Sequence, residues 1–272
     1  MLKKLNWRHI PLLLVTAFAL GPLILLVNTA LKSKSELAVN PLGIPRKIEL
    51  ANFKEAWLTA EYGQAFINSF LVAFICILIV IVCASFAAYA LSKKEFKGSN
   101  LVLGILLFTM SIPMGLFLVP LFFIFQKVGL MDSLIGIILI YSTIYLPFNI
   151  FMFRAFFVKI PNELLDSAKI DGCNEFQVIT KMVFPLAIPA FSTSALLVWL
   201  WTWNEFFFAN AFLQSNDNKT VATRFLAFTG DFSSDWTLIS AAGLITILPI
   251  LIIFLLLQRQ FIEGLTEGGI KG

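Results

Sequence analysis

The sequence predicts an all-α membrane protein with six transmembrane helices, and three observations carry that prediction. Of its 272 residues, 59% are hydrophobic and only 13% are charged, whereas a soluble domain holds about a quarter charged residues. The apolar residues come in charge-free blocks at 10–31, 62–92, 98–126, 133–153, 182–204 and 236–258. Each block reaches the ~20 residues that an α-helix needs to cross about 30 Å of hydrocarbon. Within the blocks polarity does not alternate, which excludes the strands of a membrane β-barrel. With their flanks, the blocks place spans at about 10–31, 66–91, 101–126, 133–157, 186–213 and 236–258. The result is a six-helix domain over 10–258, with an N-terminus at 1–9 and a tail at 259–272.

The first block follows Lys3, Lys4 and Arg8 and contains Ala17-Phe18-Ala19, the outline of a cleaved signal peptide. The apolar run continues through Leu23 to Val27, beyond the 7–15 residues of a signal core, so it reads as an uncleaved span. In the second, Cys76 and Cys83 are seven residues apart, about 10 Å along a helix and too far to bridge. With Cys173 in a polar loop, the cysteines read as small packing residues. Pro113, Pro120, Pro147 and Pro249 interrupt later spans, where helices kink. In the fifth span Trp199 and Trp203 share one helix face and Trp201 points elsewhere. Aromatic faces suit the C–H patches of sugar rings, and equally suit an interfacial belt or bundle packing. Apart from Arg154 at the end of the fourth, Glu205 is the one charged residue inside a predicted span. Such a group costs a few kcal/mol and marks function. Beside Asn204 it reads either as a brace between helices, the favoured role, or as a substrate contact.

Six spans put both termini on one side. If that side is cytoplasmic, twelve of the 20 Lys and Arg lie inside, among them Lys93, Lys94, Lys97, Arg154 and Lys159, and eight lie outside. This is the distribution that positive residues favour. The sequence pI near 9.0 then reflects topology and not nucleic-acid binding, since no basic stripe with interleaved aromatics occurs. Outside, 32–61 is a long segment. Inside, 154–181 is the largest loop.

That loop reads IPNELLDSAKIDGCNEFQVITKMVFPLAIP over 160–189. Pro161 and Asn162 open a short helix with Glu163 and Asp166 in its first turns, where negative charge suits the dipole. Leu164, Leu165 and Ala168 form its apolar stripe, and Gly172 stops it in a left-handed conformation. Asn174 starts a second helix, with Gln177 in capping-box position, and Phe176, Ile179, Thr180 and Val183 follow at helical spacing. Pro185 and Pro189 lead into the fifth span. A hairpin of this kind could rest on lipid headgroups. Glu163, Asp166, Asp171 and Glu175 argue against an anionic leaflet and for a protein partner.

Asp166-Ser167-Ala168, Gly172 and Met182-Val183-Phe184-Pro185 fall at the spacing of the EAA loop of ABC importer permeases: E-A-A, three residues, Gly, nine residues, I-x-L-P. The chain resembles that family, with Asp for Glu, Ser for Ala, Met for Ile and Phe for Leu as departures. Further likenesses are to the carbohydrate-uptake, maltose-type branch. They are Asn68-Ser69, Ala87-Ala88-Tyr89-Ala90-Leu91, Phe96-Lys97-Gly98, Trp203-Asn204-Glu205-Phe206 and the tail Glu263-Gly264-Leu265-Thr266-Glu267-Gly268-Gly269-Ile270-Lys271-Gly272. The resemblance implies a transmembrane permease subunit in a prokaryotic cell membrane, forming half the pathway for a carbohydrate such as an oligosaccharide. It implies as partners a second homologous permease subunit, a dimer of ATPase subunits and an extracytoplasmic solute-binding protein. Glu163, Asp166, Ser167, Ala168, Asp171, Gly172 and Pro185 become the ATPase-coupling residues, with the 158–185 loop carrying a coupling helix. Glu263, Gly264, Thr266 and Gly268 become tail contacts, and Trp203, Asn204 and Glu205 candidates for the substrate pathway.

No catalytic constellation appears. His9 is the sole histidine, so no His-based triad or zinc helix can be built, and there is no G-x-x-x-x-G-K-[ST] loop. The chain is thus expected to bind no cofactor or metal, with ATP and Mg held by the partner ATPase. The rival reading is an ion-coupled secondary transporter, which usually shows broken helices and several intramembrane polar sites.

Overall fold

The computed structural model describes the backbone of residues 9–94, 96–228 and 235–269, with side chains through 256 and at 258. The helices run, in order, α1 (Ile10–Ala30), α2 (Lys34–Val39), α3 (Ala51–Thr59), α4 (Tyr62–Lys93) and α5 (Ser99–Ser111). Then come α6 (Leu118–Lys127), α7 (Leu134–Phe157), α8 (Asn162–Ile170), α9 (Glu175–Val178) and α10 (Phe184–Leu186). The series ends with α11 (Ile188–Asn204), α12 (Phe207–Phe212), α13 (Val221–Arg224) and α14 (Trp236–Gly269). No strand occurs among the described residues. Four helices are long and apolar enough to span a membrane, and six spans result if two bent pairs each count as one.

Two of the expected spans are met by bent pairs, at 101–126 and at the start of 186–213. Between α5 and the segment Met114–Lys127 the chain turns by 96°. Ile112 is extended there, because the following Pro113 crowds the helical conformation and offers no amide. Ahead of α11 the segment Glu175–Leu186 meets it at 75°. Beyond it, Glu205 is extended and the helix restarts as α12. Pro147 and Pro249, by contrast, lie inside the continuous helices α7 and α14.

The chain forms two compact units. The first comprises the chain to Gly63 with Val221–Pro249. In it α1 exposes nearly every side chain, which suits a helix solvated by lipid. The 32–61 segment is folded: Lys32, fully buried, donates to the carbonyls of Asn40 and Pro41 at 2.8 and 3.0 Å. Asn52 donates to the carbonyls of Ala30 and Lys32, both at 2.8 Å. Ion pairs join Lys34 to Asp235 at 2.7 Å and Arg224 to Glu61 at 2.5 Å.

The second unit comprises Gln64–Thr220 and the chain from Ile250. It has two apolar cores. One gathers Val72, Cys76, Ile137, Val198, Phe208 and Phe212. The other gathers Ala84, Ala88, Phe153, Phe157, Leu165, Ala168, Val178 and Val183. Alanines on α4 let neighbouring backbones approach closely. Cys76 is buried in the first core, as expected of a packing residue, whereas Cys83 is exposed. At the first core's end Asp132 accepts from the amides of Gln214 and Ser215 at 2.9 and 3.0 Å and from the Ser215 hydroxyl at 3.1 Å. Burial pushes its carboxyl up, but the bonds from Ser215 and Gln214 outweigh it and hold it below the usual range.

Candidate functional site

The segment between α7 and α11 folds as a hairpin built by local rules. The short helix α8 ends in a Schellman motif. Gly172, at φ +87°, donates to Lys169 O, and Cys173 donates to Ala168 O, each at 3.0 Å. No atom lies within 4 Å of where a Gly172 Cβ would stand, so the backbone angle alone calls for glycine there. The capping box then forms in full. Gln177 N donates to Asn174 Oδ1 and Asn174 N donates to Gln177 Oε1, both at 2.9 Å.

The second helix is less regular than its spacing predicts. After α9 a π-helical turn covers Ile179–Val183, and α10 follows for one turn. Pro185 and Pro189 withhold two amides from the ladder, and a widened turn is a usual way for a helix to absorb such a defect.

The faces of α8 sort the expected coupling residues. Glu163, Asp166, Ser167, Asp171, Gly172 and Pro185 are exposed. Ala168 corrects the expectation: it is 4% exposed and turned inward with Leu165 against Phe157 and Val178. It cannot be presented to a partner. Leu164, assigned to the apolar stripe, is exposed, because one turn of so short a helix can bury only a narrow strip. The ion pair between Lys169 and Asp166 spans 3.4 Å and is largely solvated, a contact worth little.

Residues outside the expected set hold the hairpin in place. The last turns of α4 and Lys94 just beyond them reach it with three polar side chains. Tyr89, itself buried, donates its hydroxyl to Glu175 Oε1 at 2.6 Å, and Lys94 pairs with Glu175 Oε2 at 2.8 Å. The hydrogen bond from Lys94, then that from Tyr89, hold the Glu175 carboxyl below its usual range. Lys93 donates to Asn162 Oδ1 at 3.0 Å and to the carbonyl of Ile160. Phe86 stacks on Phe176 with ring centres 6.1 Å apart. From α7, Arg154 donates to the carbonyl of Leu91 at 3.1 Å. In the sequence the two lysines count only as charges at a span end. The signal that could have found them is the spacing of Phe86, Tyr89 and Lys93 along one helix face.

The pathway candidates sit at the junction of α11 and α12. Glu205 Oε1 and Oε2 accept from the amides of Phe208 and Ala209 at 2.9 and 3.1 Å, and Oε2 also accepts from the Tyr141 hydroxyl. The carboxylate thus caps α12, where the helix dipole favours it, and ties it to α7. Asn204 donates to Leu200 O at 2.8 Å within its own helix. Trp203 is 1% exposed, stacked on Trp199 at 5.3 Å and packed edge-on against Phe66 and Phe70. It offers no free ring face to a solute, which corrects its assignment to a pathway. Trp201 lies on Tyr145 and Phe148 instead.

The glycine-rich composition of Gly264 to Gly272 reads as non-helical, yet α14 continues as one helix to Gly269. Each glycine costs about 1 kcal/mol in a helix, but extending an existing helix needs no new nucleus. Glu263, Gly264, Thr266 and Gly268 fall on this extension, whose side chains lie outside the described residues, as do residues 270–272.

Residues 80–266 match the family described as "Binding-protein-dependent transport system inner membrane component". The chain is 33% identical over 252 residues to the melibiose/raffinose/stachyose import permease protein MelC of Bacillus subtilis, covering 92% of this chain and 91% of that one. It is 33% identical over 271 residues to the sulfoquinovosyl glycerol transport system permease protein SmoH of Agrobacterium fabrum, covering 99% and 94%. The fold is similar to that of a chain in a bacterial ABC transporter involved in import of the acidic polysaccharide alginate. The TM-score is 0.82 at 23% identity, over 93% of this chain and 95% of that one.

Proposed function

The chain belongs to the family of inner membrane components of binding-protein-dependent transport systems, and from that premise we propose that it is the permease subunit of an ATP-driven carbohydrate importer. In this reading it forms half of the translocation pathway beside a second, homologous permease subunit. An oligosaccharide delivered by a solute-binding protein is the proposed cargo, supported by the sugar named in the MelC relative. Both termini and the 158–185 loop lie in the cytoplasm. ATP and Mg are bound by a dimer of separate ATPase subunits, and this chain catalyses nothing.

The observation that carries the reading is the exposed acidic face of α8, ended by the Schellman turn at Gly172. Glu163, Asp166, Ser167 and Asp171 on this hairpin are the proposed docking residues, with Pro185 fixing its return to the membrane. Through Leu165 and Ala168 the hairpin packs on Phe153 and Phe157 of α7. A push on α8 as the ATPase dimer closes is therefore delivered to the spans as a rigid shift. Nucleotide then biases the pathway between inward- and outward-facing states by its differential affinity for the two.

Gly172→Asp tests the reading. A Cβ at a left-handed position costs roughly 1–2 kcal/mol, and the added charge stands where the partner docks. The variant should reach the membrane in normal amount yet lose ATPase association or sugar uptake, with Gly172→Ala milder. Unchanged ATPase co-purification and uptake in Gly172→Asp would remove the hairpin from the coupling path.

A further inference from the structure

The hairpin is joined covalently to α7 and α11, yet α4 grips it at both ends without any chain connection. Lys93 holds the start of α8 through Asn162 and the carbonyl of Ile160. Tyr89 and Lys94 hold Glu175 just past the turn, each taking a different carboxylate oxygen. Phe86, one turn earlier on the same face, stacks on Phe176 and meets Phe184 at 5.5 Å. Chain connectivity alone would leave the hairpin free to pivot, since the helix bends by 75° between Leu186 and Ile188. Two grips at opposite ends remove that freedom. Because the two oxygens of Glu175 are held by different donors, a sideways slip of the hairpin along α4 must break at least one bond.

We infer that Tyr89, Lys93, Lys94 and Glu175 form a clamp that passes displacement of the coupling hairpin to the second span, so that α4 moves with α8. The inference rests on the coupling role proposed above. The clamp residues are positioning residues: Glu175 is turned to α4, while the acidic face of α8 remains exposed. An isolated exposed ion pair would hold little. The buried Tyr89 hydroxyl on the same carboxylate and the stacked Phe86 make the attachment stiff.

The test uses the importer assembled with its ATPase subunits and binding protein in vesicles, and reads sugar imported per ATP hydrolysed beside the ATPase co-purified. Glu175→Lys and Lys94→Glu should each lower import per ATP on the order of fivefold, since both break the pair and bring like charges together. ATPase co-purification should be unchanged. The exchange Lys94→Glu with Glu175→Lys should restore most of the ratio. Tyr89→Phe, which removes one oxygen and keeps the ring, should lower it about twofold. Wild-type ratios in both Glu175→Lys and Tyr89→Phe would overturn the clamp. So would an exchange that restores nothing, or ATPase loss in Glu175→Lys that the exchange does not reverse. If the unaltered chain assembles with no ATPase, the coupling reading itself falls, a result separate from any variant.

Discussion

Glu205 shows how one side chain decides local geometry. Its carboxylate receives two amides at the start of α12 and the hydroxyl of Tyr141, so three donors depend on it within the apolar layer. Glu205→Ala leaves them without a partner, at roughly 1–3 kcal/mol for each buried donor that finds no substitute. We expect a marked loss of thermal stability of the purified protein, with Glu205→Gln milder because it retains one acceptor oxygen. A melting temperature equal to that of the unaltered protein would show that the carboxylate braces nothing. The sequence marks the residue by its charge alone and leaves brace and substrate contact both open. What separates them is a tyrosine 64 residues away, a separation no local pattern registers. Glu175 is a stronger case, since its partners Tyr89 and Lys94 lie at and just past the end of α4, far away in the sequence. Gly172, Asn174 and Gln177 are legible for the opposite reason: every bond of the Schellman turn and the capping box closes within five residues.

At the scale of elements, the positions of the spans follow from hydropathy, and their breaks follow only in part. Pro113 is visible in the sequence as a place to bend, yet Pro147 and Pro249 sit in helices that continue through them. Whether a proline breaks a membrane helix depends on what else can satisfy the freed carbonyl. The break after Asn204 has no proline at all and follows the capping of α12. The tail is the clearest departure: a run with Gly264, Gly268 and Gly269 reads as coil, but α14 carries it on as helix. A rigid extension of the last span is a better lever than a loose strand. We therefore propose that the tail touches the ATPase, as its likeness to the family's tail implies. Deleting 263–272 should weaken ATPase binding while insertion and the amount in the membrane stay normal. Full association and transport by the truncated chain would exclude the tail from the interface.

At the scale of the whole molecule, orientation is the property to establish, because it decides which loops can meet an ATPase. If, as proposed, 32–61 lies outside and the α4–α5 turn inside, a membrane-impermeant thiol reagent should label Ser35→Cys and not Ser99→Cys. The measurement needs a background without Cys76, Cys83 and Cys173, of which Cys83 is exposed. The opposite pattern would invert the topology. The exposure of α1 has a consequence for sequence drift. From Ile10 to Leu25 its side chains, Gly21 aside, face outward, and lipid tails are as apolar as leucine. Exchanging Leu, Ile, Val and Phe among these positions changes neither packing nor transfer energy by much. Among the described residues of this chain nothing selects one such residue over another, so these positions of α1 should tolerate exchange so long as they stay greasy. Such a helix is specified mainly by its solubility in oil.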